Sequence, residues 1–222
     1  MAVQIAEMPS EQDEIQLIVD VGSRGYPMVD LRGKAVALRA LEREHCRHLW
    51  KADEPAEPLP SQPLTPGLSV EGADRWFDDM QGKQGKEQYY LGIFSLKGRL
   101  LGDIQIASID WRNRTATLGY GISRTRDRGK GYATDAVRTL LRFAFDELDL
   151  YRITAEAADH NTASRRVLEK CGFLQEGCCR QAVYSGGERH DRIVYGLLRP
   201  EFQEGRQRSL PARGAGSCPM SR

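Results

Sequence analysis

The sequence predicts an α/β protein built on a mixed, mainly antiparallel central sheet flanked by helices. Three observations carry this. First, "EQYYLGIF", "RLLGDIQIASID" and "TATLGYGI" follow one another across two short turns, "KG" at 97–98 and "WRNR" at 111–114, the pattern of consecutive hairpin strands. Second, Ala133, Ala136, Val137, Leu140, Leu141, Ala144, Phe145 and Leu148 recur on one helical face, and "YRITAEAA" (151–158) then reads as a strand. A strand–helix–strand crossover beside hairpins calls for both parallel and antiparallel pairing in one sheet. Third, 222 residues with 40% hydrophobic and 28% charged content suffice for the core of one domain.

The elements follow in order. Residues 1–30 are weakly patterned and are expected to form an N-terminal extension, flexible in part. "KAVALRA" (34–40) reads as a strand and "LEREHCRHLW" (41–50) as a helix. Five prolines between Pro55 and Pro66 make that stretch an irregular loop. Ala73, Trp76, Phe77 and Met80 are spaced for an amphipathic helix ahead of the three hairpin strands. After the crossover, "NTASRRVLEKCG" is a short helix with Asn161 as its N-cap and Gly172 closing it. "AVYSGGERHDRIVYGLL" holds a Gly-Gly turn between two last strands. The domain is expected over 31–202, with a flexible tail at 203–222.

Composition excludes some functions. A net charge of +1 gives no global field to attract nucleic acid or an anionic membrane, so neither is expected as a partner. No apolar run is long enough to span a bilayer, and the N-terminus lacks the order of a signal peptide. Five cysteines form no CxxC pair and no ligand cluster with histidine, so reduced thiols in a cytoplasm and no metal site are expected. Cys171 is expected in the core.

Chemistry concentrates in "RDRGKGYAT" (126–134), which opens the long helix. A helix N-terminus offers unpaired N–H groups and partial positive charge, and glycines let a phosphate approach the backbone. Arg124, Arg126, Arg128 and Lys130 add four cations. A Walker loop is excluded because Gly131 and Tyr132 follow Lys130; "GKGYAT" supplies only half of a dinucleotide fingerprint. One pyrophosphate-sized site remains, against the plainer reading of a solvated turn.

"RDRGKGYA" resembles the R/Q-x-x-G-x-G/A signature of the GNAT acetyltransferase superfamily, and "NTASRRVLEKCGF" resembles its later N-x-x-S-x-x-x-x-E-K-x-G-F hallmark. "GGERHDRIVYGLLRPEF" and "LRGKAVALRALEREHC" are similar to the closing and opening segments of the RimJ/RimL-type branch. The resemblance implies a GNAT fold and transfer of an acetyl group from acetyl-CoA to a primary amine. It implies that Arg126, Arg128, Gly129, Lys130, Gly131, Tyr132, Ala133 and Thr134 hold the pyrophosphate. The backbone at Gly121, Ile122 and Arg124 would pair with the pantetheine arm, and Asn161 would orient that end of the cofactor. Ser164 is similar to a thiolate acid; Tyr120 and Tyr195 are the other hydroxyls in matching regions.

The base is less defined. Thr117 stands where many relatives carry glutamate, which leaves Asp103, Glu156, His190, Asp191 or a relayed water. Direct attack in a ternary complex is preferred to a ping-pong route through Cys171, which no histidine accompanies in sequence. The missing glutamate also motivates the alternative of an acyl-CoA-binding module without catalysis. Asp78, Asp79, Glu188 and Asp191 could draw a cationic amine to the acceptor cleft. Protein N-termini, polyamines, amino sugars and antibiotic amines stay open as acceptors, as does a homodimer.

Overall fold

The computed structural model describes residues 17–21, 27–50 and 69–209. The proline-rich stretch and the last residues of the expected tail lie outside them. Hairpin pairing builds most of the sheet. Strands β1 (Leu17–Val21), β2 (Pro27–Arg32), β3 (Val36–Ala40), β4 (Tyr89–Ser95), β5 (Leu100–Asp110) and β6 (Thr115–Ile122) pair antiparallel in succession. Then β7 (Arg152–Ala158) joins β6 in parallel, and β8 (Leu174–Ser185) and β9 (Glu188–Leu198) close the order β1-β2-β3-β4-β5-β6-β7-β9-β8. The mixed, mainly antiparallel sheet is the one the sequence predicts.

Helices cover both faces. Along a strand successive side chains point to opposite sides, so neighbours such as Ile93 and Phe94 divide between two cores. One core joins the sheet to α3 (Tyr132–Arg142), through Ala136, Val137, Leu140 and Leu141, and to α4 (Thr162–Lys170), through Leu168. Phe202 of α5 (Arg199–Ser209) completes it. The smaller core gathers Leu41, Cys46, Met80 and Phe94 beneath α1 (Arg43–Trp50) and α2 (Val70–Lys83). Its two helices are bound by paired charges: Arg47 meets Asp74 through two hydrogen bonds of 2.7 and 2.6 Å, and Arg43 meets Asp78 at 2.5 Å.

Three details differ from the sequence reading. The weakly patterned N-terminal stretch contains β1 and β2, whose pairing runs from Leu17–Leu31 to Val21–Pro27. The long helix is α-helical only to Arg142; one wider π turn, Phe143–Glu147, follows, with Leu148 N–H donating to the Phe143 carbonyl at 3.0 Å. That turn shifts the helical phase so that Phe143, Ala144 and Phe145 are all buried, against Tyr89 and Phe202 among others. Helix α5 begins before position 202 and runs past it.

Candidate active site

Pairing between β6 and β7 ends at Leu118 and Ala155. Each strand nevertheless continues, β6 against β5 as far as Ile122 and β7 against β9 as far as Ala158. The two therefore separate, and from Gly119 onward β6 has no strand on its β7 side among the described residues. Unpaired backbone groups at such an edge need a partner. Gly102 permits the local geometry: a β-carbon there would stand 2.0 Å from the Gly121 carbonyl oxygen. At Gly121 a β-carbon would meet only Asp103 Oδ1, at 3.8 Å, so the protein leaves room at that point of the opening.

The strand leads into a 3-10 turn, Thr125–Asp127, and then the glycine loop. Gly129 and Gly131 have φ of +73° and +83°, backbone that side chains with a β-carbon resist. Gly131 is the N-cap of α3 and has no side chain to satisfy the first turn. The first helical bond to it comes from Asp135 N–H at 3.0 Å, leaving the N–H groups of Tyr132, Ala133 and Thr134 ahead of the helical ladder. These are the donors an anion would meet.

The basic side chains do not all project freely. Arg128 Nε donates to the Ile122 carbonyl at 3.2 Å, and Arg124 Nη2 lies 3.3 Å from His48 Nε2 on α1. Arg126 and Lys130 are exposed. Beneath the loop, Asp127 is 3% exposed and accepts two hydrogen bonds from Arg99, of 2.7 and 2.9 Å. Those bonds hold its carboxyl below the ordinary carboxylate range, against the opposing effect of burial. Asp135, in the first turn of α3, accepts from the backbone N–H groups of Lys34, Ala35 and Val36 at 2.7–3.1 Å. Gly33 makes this contact possible, since a β-carbon there would lie 2.5 Å from Asp135 Oδ2.

Helix α4 faces the opening from the β7 side. The Asn161 side chain accepts from Ser164 N–H at 2.9 Å, the N-cap the sequence predicts. Ser164 Oγ and the Tyr120 hydroxyl lie 3.0 Å apart, so a side chain of β6 reaches the first turn of α4. Burial raises the Tyr120 pKa, keeping it a neutral hydroxyl. Tyr195, fully buried on β9, accepts from Arg165 Nε at 3.1 Å.

Asp103 pairs with Gly121 in the β5–β6 register and presents its carboxylate on the α1–α2 face. Desolvation raises its pKa, partly offset by the Tyr90 hydroxyl, which donates to Oδ2 at 2.6 Å. Tyr90 is itself pushed well above its ordinary value, by burial first and then by the neighbouring Asp103 charge. Cys46 lies in the same core, its thiol raised to about 11 by burial and by Asp103. The other carboxylate singled out, Glu156, pairs with Arg192 at 3.5 Å on the β7–β9 side. The structure thus puts the two candidate bases on different strands with different partners.

The remaining candidates are distributed. Thr117 is exposed, in the paired part of β6. Asp78 and Asp79 already face Arg43 and Lys83, which reduces their pull on a cationic acceptor. Glu188 is exposed at the tip of the β8–β9 hairpin. Asp191 accepts from Gln181 N–H at 2.8 Å and from the Cys178 thiol at 3.3 Å. Cys171 is buried, its thiol raised to about 11 by burial and directed at the Thr134 carbonyl, 3.7 Å away.

Sequence reasoning missed Tyr90, Arg99, Asp127, Asp135 and Gly102. The Arg99–Asp127 pair spans 28 positions and the Asp135 contacts about 100, so no local spacing exposes either. "GD" at 102–103, opposite "GYG" at 119–121, was the available signal for Gly102.

The opening between the parallel strands β6 and β7 thus lies beside the glycine-capped start of α3. The family model of the acetyltransferase (GNAT) domain matches residues 36–174. Among known proteins, the putative ribosomal N-acetyltransferase YdaF of Bacillus subtilis (strain 168) is 42% identical over 106 residues, 48% of this chain. The chain spans 57% of that relative's length. A crystal structure described as a probable acetyltransferase superposes with a TM-score of 0.67 at 31% identity, covering 76% of this chain and 95% of that one. Spermidine N-acetyltransferase from Vibrio cholerae, in complex with CoA and spermine, shares the fold with a TM-score of 0.65 at 20% identity, covering 76% and 98%. The chain belongs to the GNAT acetyltransferase family, and its relatives' names support the RimJ/RimL-type branch. Among the described residues no helix is long and apolar enough to cross a membrane.

Proposed function

We propose that the protein transfers the acetyl group of acetyl-CoA to a primary amine, a protein N-terminus or a small-molecule amine, by direct attack in a ternary complex. One observation carries the reading. The edge of β6 beyond its pairing with β7 runs from Gly119 toward the open N–H groups of α3, with Asp103 beside Gly121 on one face and Ser164 across the opening. In this reading the loop from Arg126 to Thr134 holds the pyrophosphate, and Gly121, Ile122 and Arg124 pair with the pantetheine arm. Asn161 fixes the start of α4.

Asp103 takes the role of base, directly or through one water. An alkylammonium must lose a proton before it can attack, and a carboxyl raised above its ordinary value is better matched to that transfer than an unshifted one. Asp103 takes one proton from the alkylammonium, the freed amine bonds to the thioester carbon, and the carbon–sulfur bond breaks as the tetrahedral centre collapses, the nitrogen's second proton restoring the one that Ser164 gives up. The departing thiolate takes a proton from Ser164, whose contact with Tyr120 links two hydroxyls in one hydrogen bond. Glu156 is the lesser candidate because Arg192 already pairs with it. Direct attack is supported by Cys46 and Cys171, both buried with thiols raised to about 11, which makes them poor nucleophiles at neutral pH.

The test is release of free CoA thiol from acetyl-CoA across a panel of α-amino peptides, polyamines and amino sugars. Amine-dependent release by at least one class is expected. Tight acetyl-CoA binding without release for any amine would overturn the proposal and favour a binding module.

A further inference from the structure

The turn between β7 and α4 carries Asp159 and His160, and His190 stands near the start of β9, thirty positions later in the chain. The fold brings the three together. Asp159 Oδ1 lies 3.3 Å from His160 Nδ1 and 3.6 Å from His190 Nδ1. The two imidazole rings are 4.0 Å apart between centroids, inclined by 48°. One ligand atom from each residue falls within 4.8 Å of the others. In four-coordinate zinc, bonds of about 2.0–2.2 Å to nitrogen and oxygen separate neighbouring ligand atoms by about 3.3–3.5 Å. Both carboxylate–imidazole separations come close to that spacing.

We propose that Asp159, His160 and His190 form a binding site for a divalent transition-metal ion of the zinc class, with water completing the coordination. Two neutral imidazoles and one carboxylate suit such an ion better than the all-oxygen preference of magnesium or calcium. The site is preorganised by backbone bonds. Asp159 N–H donates to the Asp191 carbonyl at 3.0 Å, Asn161 N–H to the Ala158 carbonyl at 3.0 Å, and Thr162 N–H to the His160 carbonyl at 2.8 Å. Arg165 Nη1 donates to the Asp159 carbonyl at 3.3 Å and its Nε to the Tyr195 hydroxyl at 3.1 Å, which holds the backbone at the start of the turn. A bound ion would tie the turn that carries the Asn161 cap to the last strand, stabilising the folded state alone.

Sequence spacing shows none of this, because only one of the two histidines is adjacent to the aspartate. The exposed thiols Cys178 and Cys179 could bind the same ions, and Cys218 lies outside the described residues. The experiment therefore uses the full chain carrying Cys178→Ser, Cys179→Ser and Cys218→Ser. Zinc sulfate is titrated by calorimetry and the thermal midpoint is followed with and without zinc. One ion per chain and a raised midpoint are expected. His190→Ala and His160→Ala, each separately, should weaken binding by about tenfold or more, a loss seen even for partners one shell removed from a metal. Magnesium chloride should produce neither binding nor a shift. Absence of zinc binding, unchanged affinity in both histidine variants, or equal binding of magnesium would each overturn the site.

Discussion

In the proposed reaction, Asp103 is the residue on which chemistry and stability make opposite demands. A base must be ionised to act, and desolvation raises this carboxyl's pKa. The acidic limb of the rate profile should therefore lie above the usual carboxylate range, with activity rising as pH increases through it. Asp103→Asn should lower kcat by about 10²–10⁴-fold and remove that limb. The stability sign is the reverse. An acid whose folded pKa exceeds its unfolded one is most stabilising below the unfolded value, and stability falls as pH rises through the folded value. Asp103→Asn should thus be as stable as the parent or more so at neutral pH. A variant that lost activity by unfolding would show the opposite in a urea melt. Asp103 was legible in the sequence as a candidate; Tyr90, thirteen positions away and hydrogen-bonded to it, was not.

At the scale of elements, the glycine loop is supported from below and behind. Arg99 on the β4–β5 hairpin reaches Asp127 under it, and Asp135 ties the first turn of α3 to the turn between β2 and β3. Asp135→Ala would leave three backbone N–H groups without this acceptor, including that of fully buried Val36. A loss of about 1–3 kcal/mol is expected, the cost of an unsatisfied buried group, read as a lower urea midpoint. The loop itself was legible because glycine, basic residues and the helical stripe are contiguous in "RDRGKGYAT". Its supports were hidden because they come from other strands. The N-terminal hairpin was hidden for another reason: β1 and β2 alternate too weakly to stand out, and their pairing is set by β3 and each other.

For the whole molecule, the antiparallel run, the crossover and the two last strands could be read from turns and periodicity. The separation of β6 from β7 could not, since it depends on where pairing ends rather than on residue type. The histidine–aspartate cluster is likewise a product of the assembled sheet. The chain's charge balance gives no long-range attraction for an anionic cofactor, so acetyl-CoA must be held by local donors. That makes the backbone at the start of α3 the centre of the account. Isothermal titration of acetyl-CoA into the parent and into Gly131→Val measures it most directly. The substitution sits at a φ of +83° with no heavy atom near its β-carbon, so it perturbs the loop backbone rather than the core. Affinity weakened by at least about tenfold, or ~1.4 kcal/mol, with an unchanged circular dichroism spectrum is the predicted result. Equal affinity in the folded variant would contradict it.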